Sequence, residues 1–315
     1  MSAESSYSTV PVLVGASTFA FTPGNTFWPY FAGAAILAIG LFAASKEISP
    51  ARGQEKLFVL GRVFFAAPMA VFAAQHFTDT KFVAQIVPSW LPAHLFWTYF
   101  VGAALIAAAL SIVVKKQARL AAILLAALLI LFVLLIHIPN IIAHPRNVLT
   151  WALGFRDLAF SGGALGCAGT QTEKWRADGT SPLVPIARIF IAVPAIFFGV
   201  AHFMHPTFLP CDDLDFSTPT WIPGHIIWAY VAGVVFVVAG ASMLLNWKAR
   251  LAATCLGITA LVLLVFVFLP MVARNPSNVE SGLNYFASTL AFGGTALLLA
   301  GGIRREDQTQ DTSRQ

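Results

Sequence analysis

Histidine is the residue type in this sequence best suited to proton transfer or ligand binding, and four histidines occupy similar positions in two parts of the chain. His76 and His94 flank one segment, and His202 and His225 flank a second segment of similar composition. Imidazole titrates near neutral pH and coordinates metals readily, so such a set could bind a ligand, relay protons or hold a polar head group. Histidine rings at helix ends also act as anchors in the headgroup layer of a membrane, and this alternative stays open.

The spacing of the possible metal ligands does not favour a metal site. The three cysteines lie far apart, and the chain contains no HExxH pattern. We therefore predict no metal site, and no residue is assigned as catalytic. Further polar residues are expected near the same membrane face as the four histidines: His137, His144, His205, Cys211, Asp212, Asp213 and Asp215.

Arginine and histidine are paired twice at one spacing. Arg62 precedes His76 by 14 residues, and Arg188 precedes His202 by the same interval. This is close to four helical turns, so each pair shares a helix face and spans about 21 Å. The second helix has the smaller residues between its pair, which favours it as the site of an apolar ligand such as a quinone. The alternative is that both arginines extend toward lipid phosphates. The residues compared are Phe65, Met69 and Ala73 in the first helix, and Ile191, Ala195 and Gly199 in the second.

Arg156 and Asp157 form an adjacent pair of opposite charges within an apolar stretch. A charge inside a bilayer costs several kcal/mol unless it is paired or hydrated, so this pair is a candidate functional site. Adjacent helical residues project about 100° apart and need not bridge each other, and structural pairing between helices is the alternative. The equivalent residues in the second half of the chain are Ala287 and Ser288, which restricts any such site to the first half.

The composition requires that these residues be positioned by membrane-spanning helices. The 315-residue chain is 58% hydrophobic and only 10% charged, which excludes a soluble or disordered protein. Its lysines and arginines are scattered and form no basic tract, which argues against nucleic acid as a partner. Because about 20 apolar residues cross a bilayer as a helix, the sequence predicts nine spans: 27–45, 57–77, 95–114, 119–138, 150–168, 185–204, 225–245, 250–272 and 283–302.

Residues 57–168 repeat as residues 183–300. The offset is 126 in the first helix and 131 after PSWLPAH, which matches PTWIPGH. Each repeat has four spans, so the two copies face the same way across the membrane. We predict an all-α polytopic membrane protein with two parallel four-helix repeats and one extra N-terminal helix, which resembles the second helix of each repeat. The predicted boundaries are 1–56 for the N-terminal segment, 57–168 and 183–302 for the repeats, 169–182 for a linker and 303–315 for a tail.

The distribution of positive charge predicts the orientation. Thirteen lysines and arginines fall in loops on one side of the nine-span arrangement, and three fall on the other. Basic loops stay in the cytoplasm, so the N-terminus is expected outside and the C-terminus inside. We expect a multi-pass protein of a bacterial inner membrane.

The repeat unit resembles the DoxX family of small four-helix membrane proteins. The resemblance covers about 57–300 and is carried by Arg62 with AQHF at 74–77, Arg188 with GVAHF at 199–203, and a Gly-Gly pair in the fourth helix of each unit. The histidines of these motifs occupy the position at which the family commonly has lysine. The resemblance implies association with membrane redox systems, since some members resemble the membrane subunit of a thiosulfate:quinone oxidoreductase.

Two functional hypotheses follow. The first is a redox-linked membrane subunit that binds quinone between its helices and works with a partner carrying the redox centre, because the chain has no dinucleotide-binding or CxxC motif. A haem held by His76 and His202 is a variant of this hypothesis. The second is a non-enzymatic scaffold, or a permease for small solutes or ions. The candidate binding residues are Arg62, His76, His94, Arg156, Asp157, Arg188, His202 and His225.

Overall fold

The computed structural model describes residues 23–206 and 222–303, and this part of the chain consists of helices and their connecting segments, without strands. Residues 1–22, 207–221 and 304–315 lie outside the described residues, and the second of these segments contains Cys211, Asp212, Asp213 and Asp215. Short helices follow the second and fifth long helices, at Thr80–Ile86 and Glu173–Asp178. The long helices are α1 (Pro23–Ile48), α2 (Glu55–Thr78), α3 (His94–Val114), α4 (Ala118–Ala143), α5 (Val148–Thr170), α6 (Leu183–Met204), α7 (His225–Leu244), α8 (Ala249–Arg274) and α9 (Asn284–Gly302).

Within the described ranges, eight long helices are apolar enough to cross a membrane, which makes the chain an all-α polytopic membrane protein. The remaining long helix is α5, which has 23 residues but contains two charged residues and several glycines. It packs against α4, α6 and α9, so protein surrounds much of its surface. This environment explains why α5 tolerates a composition that is less apolar than that of the other helices.

Helices α2 to α9 form a closed ring of contacts. Consecutive helices from α2 to α9 pack against each other, and α9 returns to contact α2. Across the ring, α5 and α9, the fourth helices of the two repeats, also contact each other. Helix α1 lies outside this ring against α2 and α3.

The internal repeat is visible in individual contacts. The His76 Nδ1 lies 2.8 Å from the carbonyl oxygen four residues earlier, and the same contact measures 2.7 Å for His202. The next residue of each helix, a phenylalanine, stacks on a tyrosine of the following helix with a centroid distance of 5.9 Å in both repeats: Phe77 on Tyr99, and Phe203 on Tyr230. At these two positions, the repeats therefore share the same contacts.

The Gly-Gly pairs allow the fourth helix of each repeat to approach the first helix of the other repeat. A Cβ atom at Gly294 on α9 would lie 2.7 Å from the Phe64 carbonyl carbon and 2.8 Å from the Gly61 oxygen on α2. A Cβ atom at Gly162 on α5 would lie 2.9 Å from the Ile191 side chain on α6. Small residues at these crossings let the backbones meet, which is a common way for helices to associate in a membrane.

Both third helices of the repeats contain one widened turn at the same repeat position. The π-helical turn at Val133–His137 in α4 corresponds to the turn at Leu264–Phe268 in α8, at the offset of 131. Each turn is followed closely by a proline, Pro139 or Pro270, which has no backbone N–H to donate. The wider turn accommodates the proline while the backbone remains helical.

At each end of the bundle, side-chain hydrogen bonds join different helices. At one end, which we call the histidine end, Tyr30 donates a hydrogen bond to the Pro276 carbonyl oxygen and Gln75 donates one to Asn284. At the other end, which we call the basic end, Arg250 donates to the carbonyl oxygen of Ile303. All seven histidines lie at helix ends, or within the last turns of helices, that belong to the histidine end.

Candidate intramembrane polar site

A buried group of three polar side chains joins α4 and α5. The His137 Nε2 lies 2.8 Å from Asp157 Oδ2, and Arg156 Nε donates to Asp157 Oδ1 at 3.1 Å. His137 is 9% exposed and Asp157 is 6% exposed. Both carboxylate oxygens are therefore engaged in a part of the bundle from which water is largely excluded.

The π turn and the close approach of α5 place His137 against Asp157. His137 is the last residue of the widened turn, and the Ile138 N–H that follows it donates to the carbonyl oxygen of Val133, five residues back. On the facing helix, Gly154 leaves room for the imidazole, because a Cβ atom there would lie 3.3 Å from His137 Cβ. Single π turns inside α-helices are frequent at functional sites, where they redirect a side chain.

Arg156 extends the group from α5 to α2. Its guanidinium carbon lies 5.9 Å from the centre of the Phe72 ring, and that ring stacks on Phe160 with a centroid distance of 6.4 Å. The Arg156 side chain is 30% exposed, so it is the most accessible member of the group. Contact with an aromatic face stabilises a cation that has left water.

The arrangement can hold and exchange a proton. Arg156 balances the charge of Asp157, and Asp157 orients the imidazole of His137 through Nε2. The other ring nitrogen, Nδ1, is then the atom with which His137 can exchange a proton or bind a polar ligand atom. A carboxylate that fixes the orientation of an imidazole is a recurring feature of proton-transfer sites.

The second repeat replaces the whole group by uncharged residues. Phe268 occupies the position of His137 and stacks on Tyr285 with a centroid distance of 6.5 Å. Ala287 and Ser288 occupy the positions of Arg156 and Asp157. The bundle therefore carries this polar group in one repeat, and the facing residue differs as well, because Tyr285 stands at the position of Gly154.

The sequence left open whether Arg156 and Asp157 bridge each other, and the structure shows that they do. Although neighbouring residues on a helix diverge, the long arginine side chain turns back to Asp157, and the two form a direct ion pair. His137 as the third member was missed, because it was grouped with histidines at the membrane surface. The sequence did contain an indication of this contact. A short turn joins α4 and α5, and His137 and Asp157 lie at similar distances from that turn along the chain. Two such residues lie at similar depth in an antiparallel helix pair.

The other candidate histidines have contacts of their own. His76 and His202 each bind a carbonyl of their own helix, as described above, and His94 and His225 are partly buried first residues of α3 and α7. Within residues 23–206 and 222–303, no three His, Cys, Asp or Glu side chains form a group that could hold a metal ion. Binding by these four histidines stays a prediction.

The two arginines near the basic end differ in their partners. Arg62 is 6% exposed and forms an ion pair with Glu47 of α1 at 3.0 Å. Arg188 is partly buried, and its Nε has no hydrogen-bond partner. Between Arg188 and His202, the predicted open groove is filled, since a Cβ atom at Gly199 would lie 2.7 Å from Val237 of α7. At this level α7 packs into the space, and the comparison between the grooves of the two helices stays a prediction.

Comparison with known proteins adds one partial match. A family model described as a domain of unknown function (DUF8561) matches residues 65–152, from the middle of α2 to the first turn of α5. The match includes His137 and ends before Asp157. No curated protein and no solved structure shows a significant match to the chain.

Proposed function

We propose that this integral membrane protein is a subunit of a redox-linked system and binds a quinone-type ligand at the His137–Asp157–Arg156 group. The observation that carries the proposal is this charged, hydrogen-bonded group inside a membrane bundle. Ionisable residues in the membrane are costly and are usually retained for function. The resemblance of the repeat unit to DoxX proteins supports the same assignment.

The donor set suits a quinone. A quinone takes up two electrons and two protons on reduction, so its binding site needs a polar atom for a carbonyl oxygen and a group that exchanges protons. In this chain, His137 would bind the carbonyl oxygen and carry the proton, and Asp157 would hold the imidazole in place. Arg156 would keep the site electrically balanced. A partner protein with a flavin or metal redox centre would supply or accept the electrons.

The orientation of the site follows from the charge distribution. The proposed topology has the N-terminus outside, the C-terminus in the cytoplasm and the histidine end at the outer face of a bacterial inner membrane. Proton exchange through His137 would then take place in the outer half of the bilayer. Accessibility of a tag at each terminus tests this arrangement, and a C-terminal tag found outside would contradict it.

Copurification and titration test the function. The full chain is purified in mild detergent, extracted for quinones and metals, and titrated with decylubiquinone while tryptophan fluorescence is recorded. We expect bound quinone in the native protein and at least a tenfold weaker affinity in Asp157→Asn, which keeps the side-chain shape but removes the charge. The matched control is Ser288→Asn, at the equivalent position of the second repeat, which should bind as the native protein does.

A colourless preparation without quinone or metals, and without decylubiquinone binding, would overturn the redox assignment. The scaffold or permease hypothesis would then replace it. Equal loss of affinity in Asp157→Asn and Ser288→Asn would also contradict the proposed site, since only the first substitution alters the polar group.

A further inference from the structure

Helix α1 covers a face of the first repeat whose counterpart in the second repeat is uncovered by the described residues. Val63 on α2 and Val113 on α3 are completely buried, and both lie against Gly40 of α1. The repeat offsets place Ile189 on α6 and Leu244 on α7 at the equivalent positions, where they are 46% and 40% exposed. An α1-like helix is thus present on one repeat and missing from the other within residues 23–206 and 222–303.

The two faces also differ in whether their arginine has an acidic partner. Glu47 near the end of α1 binds Arg62 at 3.0 Å and Lys115 at 2.6 Å, so the buried arginine of the first repeat has a carboxylate partner. Arg188 holds the equivalent position in the second repeat, and none of the described acidic side chains forms an ion pair with it. A cation at this depth is stabilised by an acidic partner.

We propose that the uncovered face, formed by Arg188, Ile189, Val193 and Leu244, binds one transmembrane helix of a separate partner protein. This helix would run in the same direction as α1 and carry a carboxylate in its last turn at the basic end, where it pairs with Arg188. Its contact stripe would contain small residues, because α1 uses glycine at this contact.

A second copy of this chain is a poorer occupant of the uncovered face. A symmetric dimer formed through this face would bring two Arg188 side chains together at the same depth, because both copies have the same orientation in the membrane. Like charges in a medium of low dielectric constant repel strongly. The acidic group of α1 is also already engaged with Arg62 and Lys115.

The test uses a synthetic peptide with the sequence of α1, residues 23–48, as the probe helix. The full chain carries an energy-transfer label at Leu245→Cys, beside the uncovered face, with Cys211 and Cys255 replaced by serine, and is placed in lipid nanodiscs. We expect saturable energy transfer to a labelled peptide. The apparent dissociation constant should rise at least about fivefold with Arg188→Gln, and by a similar factor when the peptide carries Glu47→Gln.

Combining the two substitutions should add little to either alone, which identifies a direct pair. Arg119→Gln is the matched control, because Arg119 is an exposed arginine of α4 and should leave binding unchanged. Ile189→Trp should block the peptide sterically while Arg188 is intact. Absence of saturable transfer, or binding that is insensitive to both charge substitutions, would overturn the proposal. Retention of phosphatidylglycerol that depends on Arg188, without peptide binding, would assign the face to lipid instead.

Discussion

Removing Asp157 alone should destabilise the bundle more than removing the entire polar group to which it belongs. Asp157→Ala leaves Arg156 without its carboxylate and His137 without its hydrogen-bond partner in a buried site. The triple replacement His137→Phe, Arg156→Ala and Asp157→Ser instead installs the residues of the second repeat. In the second repeat these residues pack without a charged group, and Phe268 stacks on Tyr285, which stands at the position of Gly154.

The magnitude follows from the contacts of Asp157. The carboxylate accepts two hydrogen bonds, at 2.8 and 3.1 Å. Breaking a buried ion pair by removing one partner costs about 3–5 kcal/mol. The Arg156 side chain is 30% exposed and can turn partly away, which lowers the expected loss to about 2–4 kcal/mol. The triple variant leaves no unpaired charge, and we expect it to lose less than about 1.5 kcal/mol.

The assay is equilibrium unfolding in mixed micelles of dodecyl sulfate and a mild detergent, followed by circular dichroism. Ser288→Ala, at the position equivalent to Asp157, is the control and should change the free energy of unfolding by less than about 1 kcal/mol. A triple variant as unstable as Asp157→Ala would refute the reasoning, because the cost would then come from repacking rather than from unpaired charge. A stable triple variant that no longer binds decylubiquinone would further support the proposed site.

Three further predictions concern packing, ion pairing and pH. Gly294→Ala should lower the free energy of unfolding by about 2 kcal/mol or more, because the added Cβ would lie 2.7 and 2.8 Å from backbone atoms of α2. The control is Gly166→Ala, whose added Cβ has its nearest contact at 3.7 Å and which should be close to neutral in the same assay. Glu47→Gln should lower the free energy of unfolding by about 1–3 kcal/mol, because it removes the partner of the buried Arg62 guanidinium. The Lys115 side chain is 40% exposed, so Lys115→Gln should lower it by less than about 1 kcal/mol. Equal effects of the two substitutions would contradict this reasoning. Burial raises the pKa of Asp79, so the folded state holds the carboxyl proton more tightly than the unfolded chain does. The contribution of Asp79 to stability is therefore greatest at acid pH and falls as the pH rises through the carboxyl range. Asp79→Asn should remove this pH dependence from the measured free energy of unfolding.

The helical architecture could be predicted because lipid imposes a simple requirement. Each span must satisfy its own backbone hydrogen bonds and expose apolar side chains, and both properties are visible in a window of about 20 residues. The repeat was also visible, since its offset is maintained across helices. One helix end was less accurate: α4 continues to Ala143 because its π turn lets the helix extend past Pro139.

The candidate site was only half visible in the sequence. Arg156 and Asp157 were identifiable because charges inside an apolar span are unusual. His137 was not, because its membership depends on the depth at which α4 and α5 meet and on a widened turn that redirects its ring. The pairing of Glu47 with Arg62 was likewise hidden, since it depends on where α1 docks.

The amino-acid sequence by itself determined the class of protein, an all-α polytopic membrane protein, because this depends on hydropathy and on local backbone needs. The tertiary structure alone decided which polar side chains meet, which repeat holds the buried His–Asp–Arg group, and which face α1 covers. Such contacts depend on the rotation and depth of each helix against its neighbours. Those quantities are set by close packing at glycines such as Gly294 and by pairing of buried charges, and the order of residues along one helix does not specify them.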